Sequence, residues 1–177
     1  MGTSMMKAIT YSEFGISTDV LKLKELPIPK AGNGEVQVSL QFSGSNPSDA
    51  KSRAGNRPGV TKPQFDQIVP NSDGSGVITA VGEGVQESRI GQRVWIWNGQ
   101  WQRPNGTAAE YITVPSTQAV EMPEDMSFET GACLGIPGLT ASYCTLGDGE
   151  LNEKTVFVSG GAGAVGVGAG EAPQPAI

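Results

Sequence analysis

The chain has 177 residues, a net charge of -6, 25 glycines and no histidine. An acidic chain without a basic cluster argues against nucleic acid and anionic membrane surfaces as partners. Without imidazole there can be no Ser/His/Asp triad, no histidine base and few of the known zinc-enzyme designs; two cysteines cannot build a four-thiolate site either, so no metal site is expected.

In chain order the sequence reads first as short strands between turns. Met6–Thr10 opens a strand, and Val20–Leu26 places Leu21 and Leu23 at period two. Glu35–Phe42 alternates Val36, Val38, Leu40 and Phe42 with Gln37, Ser39 and Gln41, the pattern of a half-buried strand. Further β-rich runs cover Gly76–Val81, Arg93–Trp97 and Glu110–Val114. Turn signals separate them at Gly32-Asn33-Gly34, Gly82-Glu83-Gly84, Asn98-Gly99 and Pro104-Asn105-Gly106. Many short strands so spaced predict an antiparallel barrel or sandwich.

After Pro123-Glu124-Asp125 the pattern changes. Ser127 is a candidate helix N-cap, and the small, apolar run Gly131–Leu146 is broken by Pro137. Cys133 and Cys144 fall in this run and read as buried, reduced thiols. Thr155–Ser159 predicts a compact apolar strand, and glycines follow at once. Gly161, Gly163 and Gly166 match G-x-G-x-x-G, whose glycines permit the tight turn, the approach of a diphosphate and helix-on-strand packing. A crossover helix and second strand should follow, the unit taking ~30 residues. Instead Gly168, Gly170, Pro173 and Pro175 crowd the last stretch, with no amphipathic stripe. The expectation is therefore a Rossmann unit that begins and stops short. No apolar run is long enough to span a membrane and no export signal precedes Met6, so a cytoplasmic protein is expected.

Four segments carry a family resemblance: Asn46–Gly55, Asp73–Gly82, Gly106–Tyr111 and Gly131–Ala141, running on into VFVSGGAGAVG at 156–166. Together they resemble the zeta-crystallin-like NADPH:quinone oxidoreductases of the medium-chain dehydrogenase/reductase superfamily, over about residues 5–166. The zinc-dependent branch of that superfamily has a cysteine ligand where Asn46 stands and a Gly-His-Glu motif where Asn71-Ser72-Asp73 stands; both ligands are missing here.

The resemblance implies a mainly β fold. Residues 1–126 would form a GroES-like barrel, 127–154 a helical connection, and 155–177 the first strand and glycine loop of an incomplete, C-terminally truncated α/β Rossmann domain with an aberrant tail. It implies zinc-independent hydride transfer from NADPH to a quinone or activated enone. Asn46 and Asp49 would face the substrate cleft, with Asn46, Lys51 and Thr140 near the nicotinamide. Gly161, Ala162, Gly163, Ala164, Val165 and Gly166 would line the diphosphate, and no catalytic acid or base is singled out.

Plainer readings stand beside these. Asn46-Pro47-Ser48-Asp49 is also an ordinary turn sequence, and Thr140 could bond back to its own helix. Lys51 and Arg53 could be solvated charges, Glu110 a structural carboxylate, and Trp95, Trp97 and Trp101 packing residues. The alternative function is a non-catalytic barrel module, or a shortened product without activity of its own. A homo-oligomer is left open, and NADPH binding by this chain alone is expected to be weak or absent.

Overall fold

The computed structural model describes residues 3–147, 149, 151 and 154–170. Strands β1 (Met5–Thr10) and β2 (Lys22–Pro27) pair antiparallel in a two-stranded ribbon. A five-stranded antiparallel sheet has the order β6 (Tyr111–Pro115), β3 (Glu35–Gly44), β4 (Asp73–Val81), β5 (Arg93–Ile96), β7 (Ala119–Glu121). The architecture is the expected mainly β one. A bridge from Ala8 to Ala109 and another from Tyr11 to Ile68 tie the ribbon to the larger sheet's loops.

The core follows from alternation. Val36 and Val38, Val94 and Ile96, and Ile112 and Val114 each sit two apart on their strands, and all are fully buried together with Ile78. Alternate residues on a strand share a face, so three short runs of period two suffice to line one interior. Trp95 and Trp97, on the opposite parity from Val94 and Ile96, are half-buried.

The sequence pattern fails where the backbone breaks step. Phe42 was expected inward with Val36, Val38 and Leu40, yet it is 43% exposed. Opposite the adjacent pair Gly76 and Ser75 on β4 stand Leu40 and Phe42, so one extra residue of β3 is accommodated there. Such a bulge flips every later side chain to the other face. Likewise Val20 does not begin a strand: it closes a one-turn helix, α1 (Ser17–Val20), and buries itself. Leu23 on β2 is 65% exposed, because the ribbon carries most of that strand outside the core.

The Asn46-Pro47-Ser48-Asp49 segment is not a plain turn. Asn46 is the N-cap of α2 (Pro47–Arg53), with proline at the first helical position. Proline is pre-set for that position and loses nothing there by lacking an N–H.

Beyond the sheet, α3 (Phe128–Gly131) starts as expected at Ser127, whose hydroxyl accepts from Thr130 N–H at 3.2 Å. Arg93 of β5 pins this connection. Its guanidinium donates to the carbonyls of Pro123, Glu124 and Met126 and lies 4.6 Å from the Phe128 ring centroid. Pro137 divides the next run, but by widening it: Leu134–Gly138 is a π-helical turn, followed by α4 (Leu139–Leu146). A π turn accommodates a residue that cannot donate to the preceding ladder.

Three expectations for this region are corrected. Cys133 and Cys144 are exposed rather than buried. On α4 the buried positions are Ala141 and Thr145, one turn apart, which leaves Cys144 on the face that no described element covers. Residues 155–158 form no strand, and Phe157 is 91% exposed, since no described strand lies alongside to supply hydrogen bonds. And the glycine-rich stretch does make a helix, α5 (Ala164–Gly170). It packs on α4 and the π turn. The glycines that weaken it in isolation permit the approach: a Cβ on Gly168 would stand 3.2 Å from Ala141 Cβ. Of the expected aberrant tail, residues 167–177, the part from Val167 to Gly170 belongs to α5, and 171–177 lie outside the described residues.

Candidate functional site

Asp73, the first residue of β4, is fully buried. Its Oδ2 accepts two hydrogen bonds at 2.8 Å, from Asn46 Nδ2 and from the backbone N–H of Ile136. One carboxylate oxygen thereby joins the N-cap of α2 to the π turn. Its other oxygen, Oδ1, is buried and has no partner among the described residues. Asn46 is itself buried, and its backbone N–H donates to Asp49 Oδ2 at 2.7 Å, the reciprocal half of a capping box.

Small residues let these elements meet. A Cβ on Gly135 would stand 2.5 Å from Asp73 Cγ and closer still to Oδ1. A Cβ on Gly44, at the end of β3, would run into the Ala132 carbonyl oxygen. Both positions need glycine because a buried carboxylate and a main chain pass there at contact distance.

Burial, the largest influence, holds the Asp73 carboxyl above the usual carboxylate range. The Ile136 N–H and the Asn46 amide partly offset it, and Asp49 adds to the rise. Asp49 is also raised by burial, offset by its bonds from Asn46 and by Arg57. A carboxyl whose folded-state pKa is raised binds its proton more tightly when folded, so unfolding releases protons. Stability then falls as pH climbs from the ordinary value near 4 through the raised midpoints. Urea melts across that window should show a shallower decline for Asp73→Asn than for the parent chain. Equal slopes would show that Asp73 does not titrate in this way.

The remaining expected site residues are placed as follows. Lys51 is exposed in the last turn of α2. Thr140 is exposed in the first turn of α4, and its hydroxyl donates to the Ile136 carbonyl at 2.6 Å, the back-bonded arrangement. Glu110 accepts from the Lys7 N–H at 2.7 Å, a structural role. Gly161, Ala162 and Gly163 form a turn, closed by Gly163 N–H donating to Gly160 O at 2.9 Å, and Ala164, Val165 and Gly166 start α5. A Cβ on Gly166 would stand 2.7 Å from Gly161 Cα, so the third glycine of the motif is packed against the first. The N–H groups of Gly161 and Ala162 donate to no acceptor among the described residues. This turn fits the diphosphate part of a dinucleotide.

A relay of contacts runs from α5 to Asn46. α5 packs on the π turn, Ile136 of that turn binds Asp73, and Asp73 binds Asn46. In the sequence Asp73 appears only as part of the Asp73–Gly82 segment and of the missing ligand motif, and Gly135 and Ile136 only as members of the Gly131–Ala141 segment, none with a role of its own. The signal available was Asp73 itself, an acidic residue opening an otherwise uncharged strand. Among the described residues no group of three His, Cys, Asp or Glu side chains is close enough to hold a metal ion.

Residues 32–124 match the family model described as the alcohol dehydrogenase GroES-like domain. The chain belongs to that family. Among its relatives, the synaptic vesicle membrane protein VAT-1 homolog of Rattus norvegicus is 34% identical over 174 residues, covering 93% of this chain and 39% of that protein. The quinone oxidoreductase of Lama guanicoe is 32% identical over 170 residues, covering 95% of this chain and 49% of its own length. In structure, this GroES-like chain is similar to mycobacterial Rv1454c complexed with NADPH: TM-score 0.72 and 29% identity, over 92% of this chain and 48% of that one. The chain thus spans about half, or less, of the length of these proteins.

Proposed function

We propose that this chain is the acceptor-side part of an NADPH-dependent oxidoreductase that reduces quinones or activated enones without zinc. The observation that carries the reading is the Asn46–Asp73 hydrogen bond. The position at which the resemblance sets the cysteine ligand of the zinc branch is Asn46, and its carboxamide is bonded at 2.8 Å to Asp73, the last residue of the stretch that stands where that branch has Gly-His-Glu. Asp73 Oδ2 is already engaged by two N–H bonds, and the chain has no histidine to complete a metal-ligand set.

In this reading the cofactor supplies the hydride when bound. The chain's own residues orient and shield. Gly161, Ala162, Gly163, Ala164, Val165 and Gly166 would line the diphosphate, received on their main-chain N–H groups other than that of Gly163, which is bonded to Gly160 O. Asn46, fixed by Asp73, would set one wall of the cleft beside Asp49, with Lys51 and Thr140 nearer the nicotinamide. The division into a barrel to residue 126, a connection to 154 and a dinucleotide-binding start from 155 belongs to the same proposal. So does a cytoplasmic location: among the described residues no helix is long and apolar enough to cross a membrane, though one relative bears a vesicle-membrane name.

The adenosine end has no residues to receive it among those described, so NADPH should bind this chain weakly and by one end. Saturation-transfer NMR with NADPH should give stronger transfer to nicotinamide than to adenine protons, and tryptophan fluorescence should not saturate at low micromolar cofactor. Transfer strongest at adenine, or saturation at low micromolar cofactor, would overturn the assignment.

A further inference from the structure

Away from the Asn46–Asp73 pair, the loops at the C-terminal end of α2 enclose an open cavity of about 310 Å³. Tyr11 and Ile68, both buried, form part of its wall, with Phe14 beside them and Trp101 and Arg57 also lining it. That volume lies at the small end of the range for pockets that take small organic molecules. The residues all belong to the barrel portion, so the cavity exists without any cofactor.

We propose that this cavity binds a planar aromatic carboxylate, its ring against Phe14 and Trp101 and its carboxylate on Arg57. Arg57 is the one cation among the lining residues, and no aspartate or glutamate lines the cavity. Its Nε donates to Ser52 Oγ at 2.8 Å, which fixes the plane of the guanidinium. The two terminal nitrogens have no acceptor among the described residues, leaving the paired donors that a carboxylate matches in geometry. Asp49, half-buried in the first turn of α2, feels the positive charge of Arg57 but does not line the cavity.

The aromatic walls are held by backbone that ordinary residues avoid. Trp101 is 60% exposed, on a loop where Asn98 has φ 52° and Gln102 φ 55°. A left-handed glutamine costs on the order of 1 kcal/mol or more and clusters where a side chain must be presented. Gly55, also in the lining, has φ 74°, and a Cβ there would stand 2.7 Å from Phe14 Cδ2. Glycine at that point lets the chain pass against the Phe14 ring and support it. An indole, a phenyl ring and a guanidinium lining one cavity make a site for a flat anion, since rings stack on the walls while the charge meets the cation.

The test is a titration of the 177-residue chain with 2-naphthoate, followed by NMR of the Trp101 indole N–H and Arg57 Nε–H. Both resonances should shift saturably. The neutral 2-naphthalenemethanol should bind at least about tenfold more weakly, the factor that one charge-assisted pair of about 1.4 kcal/mol supplies. Arg57→Gln should bring naphthoate down to the level of the alcohol, Arg57→Lys should recover part of the loss, and Trp101→Ala should weaken both ligands. Absence of a saturable shift, equal affinity for the alcohol, or full naphthoate binding by Arg57→Gln would each overturn the proposal. None of these outcomes bears on NADPH.

Discussion

Gly135→Ala should destabilise the chain by about 2–3 kcal/mol, while Gly138→Ala, three residues later in the same π turn, should be close to neutral. Overpacking of a closed site costs about 1–3 kcal/mol. At Gly135 the new methyl would overlap the Asp73 carboxylate, so the π turn must move away and stretch the Ile136 N–H···Oδ2 bond. At Gly138 the nearest atom to an added Cβ is a Leu134 methyl carbon at 3.6 Å, an ordinary contact. Both residues are glycine, both lie in one turn and both have the same helix propensity to gain. Only the carboxylate differs. Chemical denaturation of the two variants decides it, and equal losses would mean that the close approach to Asp73 is not the cause.

Asp73→Ala is expected to lower stability by about 2 kcal/mol, equivalent to a fall of roughly 4–8 °C in Tm for a chain of this size. Two opposed effects set the figure. Removal strands two buried donors, Asn46 Nδ2 and Ile136 N–H, each worth about 1–3 kcal/mol when left unpaired. Against that, it relieves a carboxyl that burial disfavours in its charged form. The donors win because both bonds are short and the elements they hold are separate in sequence. Asp73→Asn keeps an oxygen for both donors and should stay within about 1 kcal/mol of the parent. Thermal melts of the three proteins check the order; an alanine variant as stable as the asparagine one would contradict it.

The barrel was legible because its information is local. Val36 and Val38, Val94 and Ile96, and Ile112 and Val114 declare their faces two residues at a time, and that is enough to define a buried interior. Where a face depends on a bulge, as at Phe42, or on whether a strand finds a neighbour, as at residues 155–158, the sequence carries no local sign of it. α5 misled for the opposite reason. Its glycines are poor helix formers singly, yet they let the helix lie against Ala141, and packing outweighs propensity over a helix this short.

The site divides along the same line. Asn46 was legible as a residue type at a family position, and the glycine turn by its spacing. The bond between Asn46 and Asp73 joins residues 27 apart and that between Ile136 and Asp73 residues 63 apart. Neither spacing has a periodicity to betray it. Gly135 looked like one glycine among 25, and only the carboxylate beside it gives it a reason.

A double-mutant cycle between Asn46→Ala and Asp73→Ala measures the bond on which the metal-free reading depends. The predicted result is a coupling of about 1–2 kcal/mol, each single change having already broken the same contact. Additive losses, within about 0.3 kcal/mol, would show that the two residues do not hold one another, and the cleft would then lack the fixed wall that this function requires.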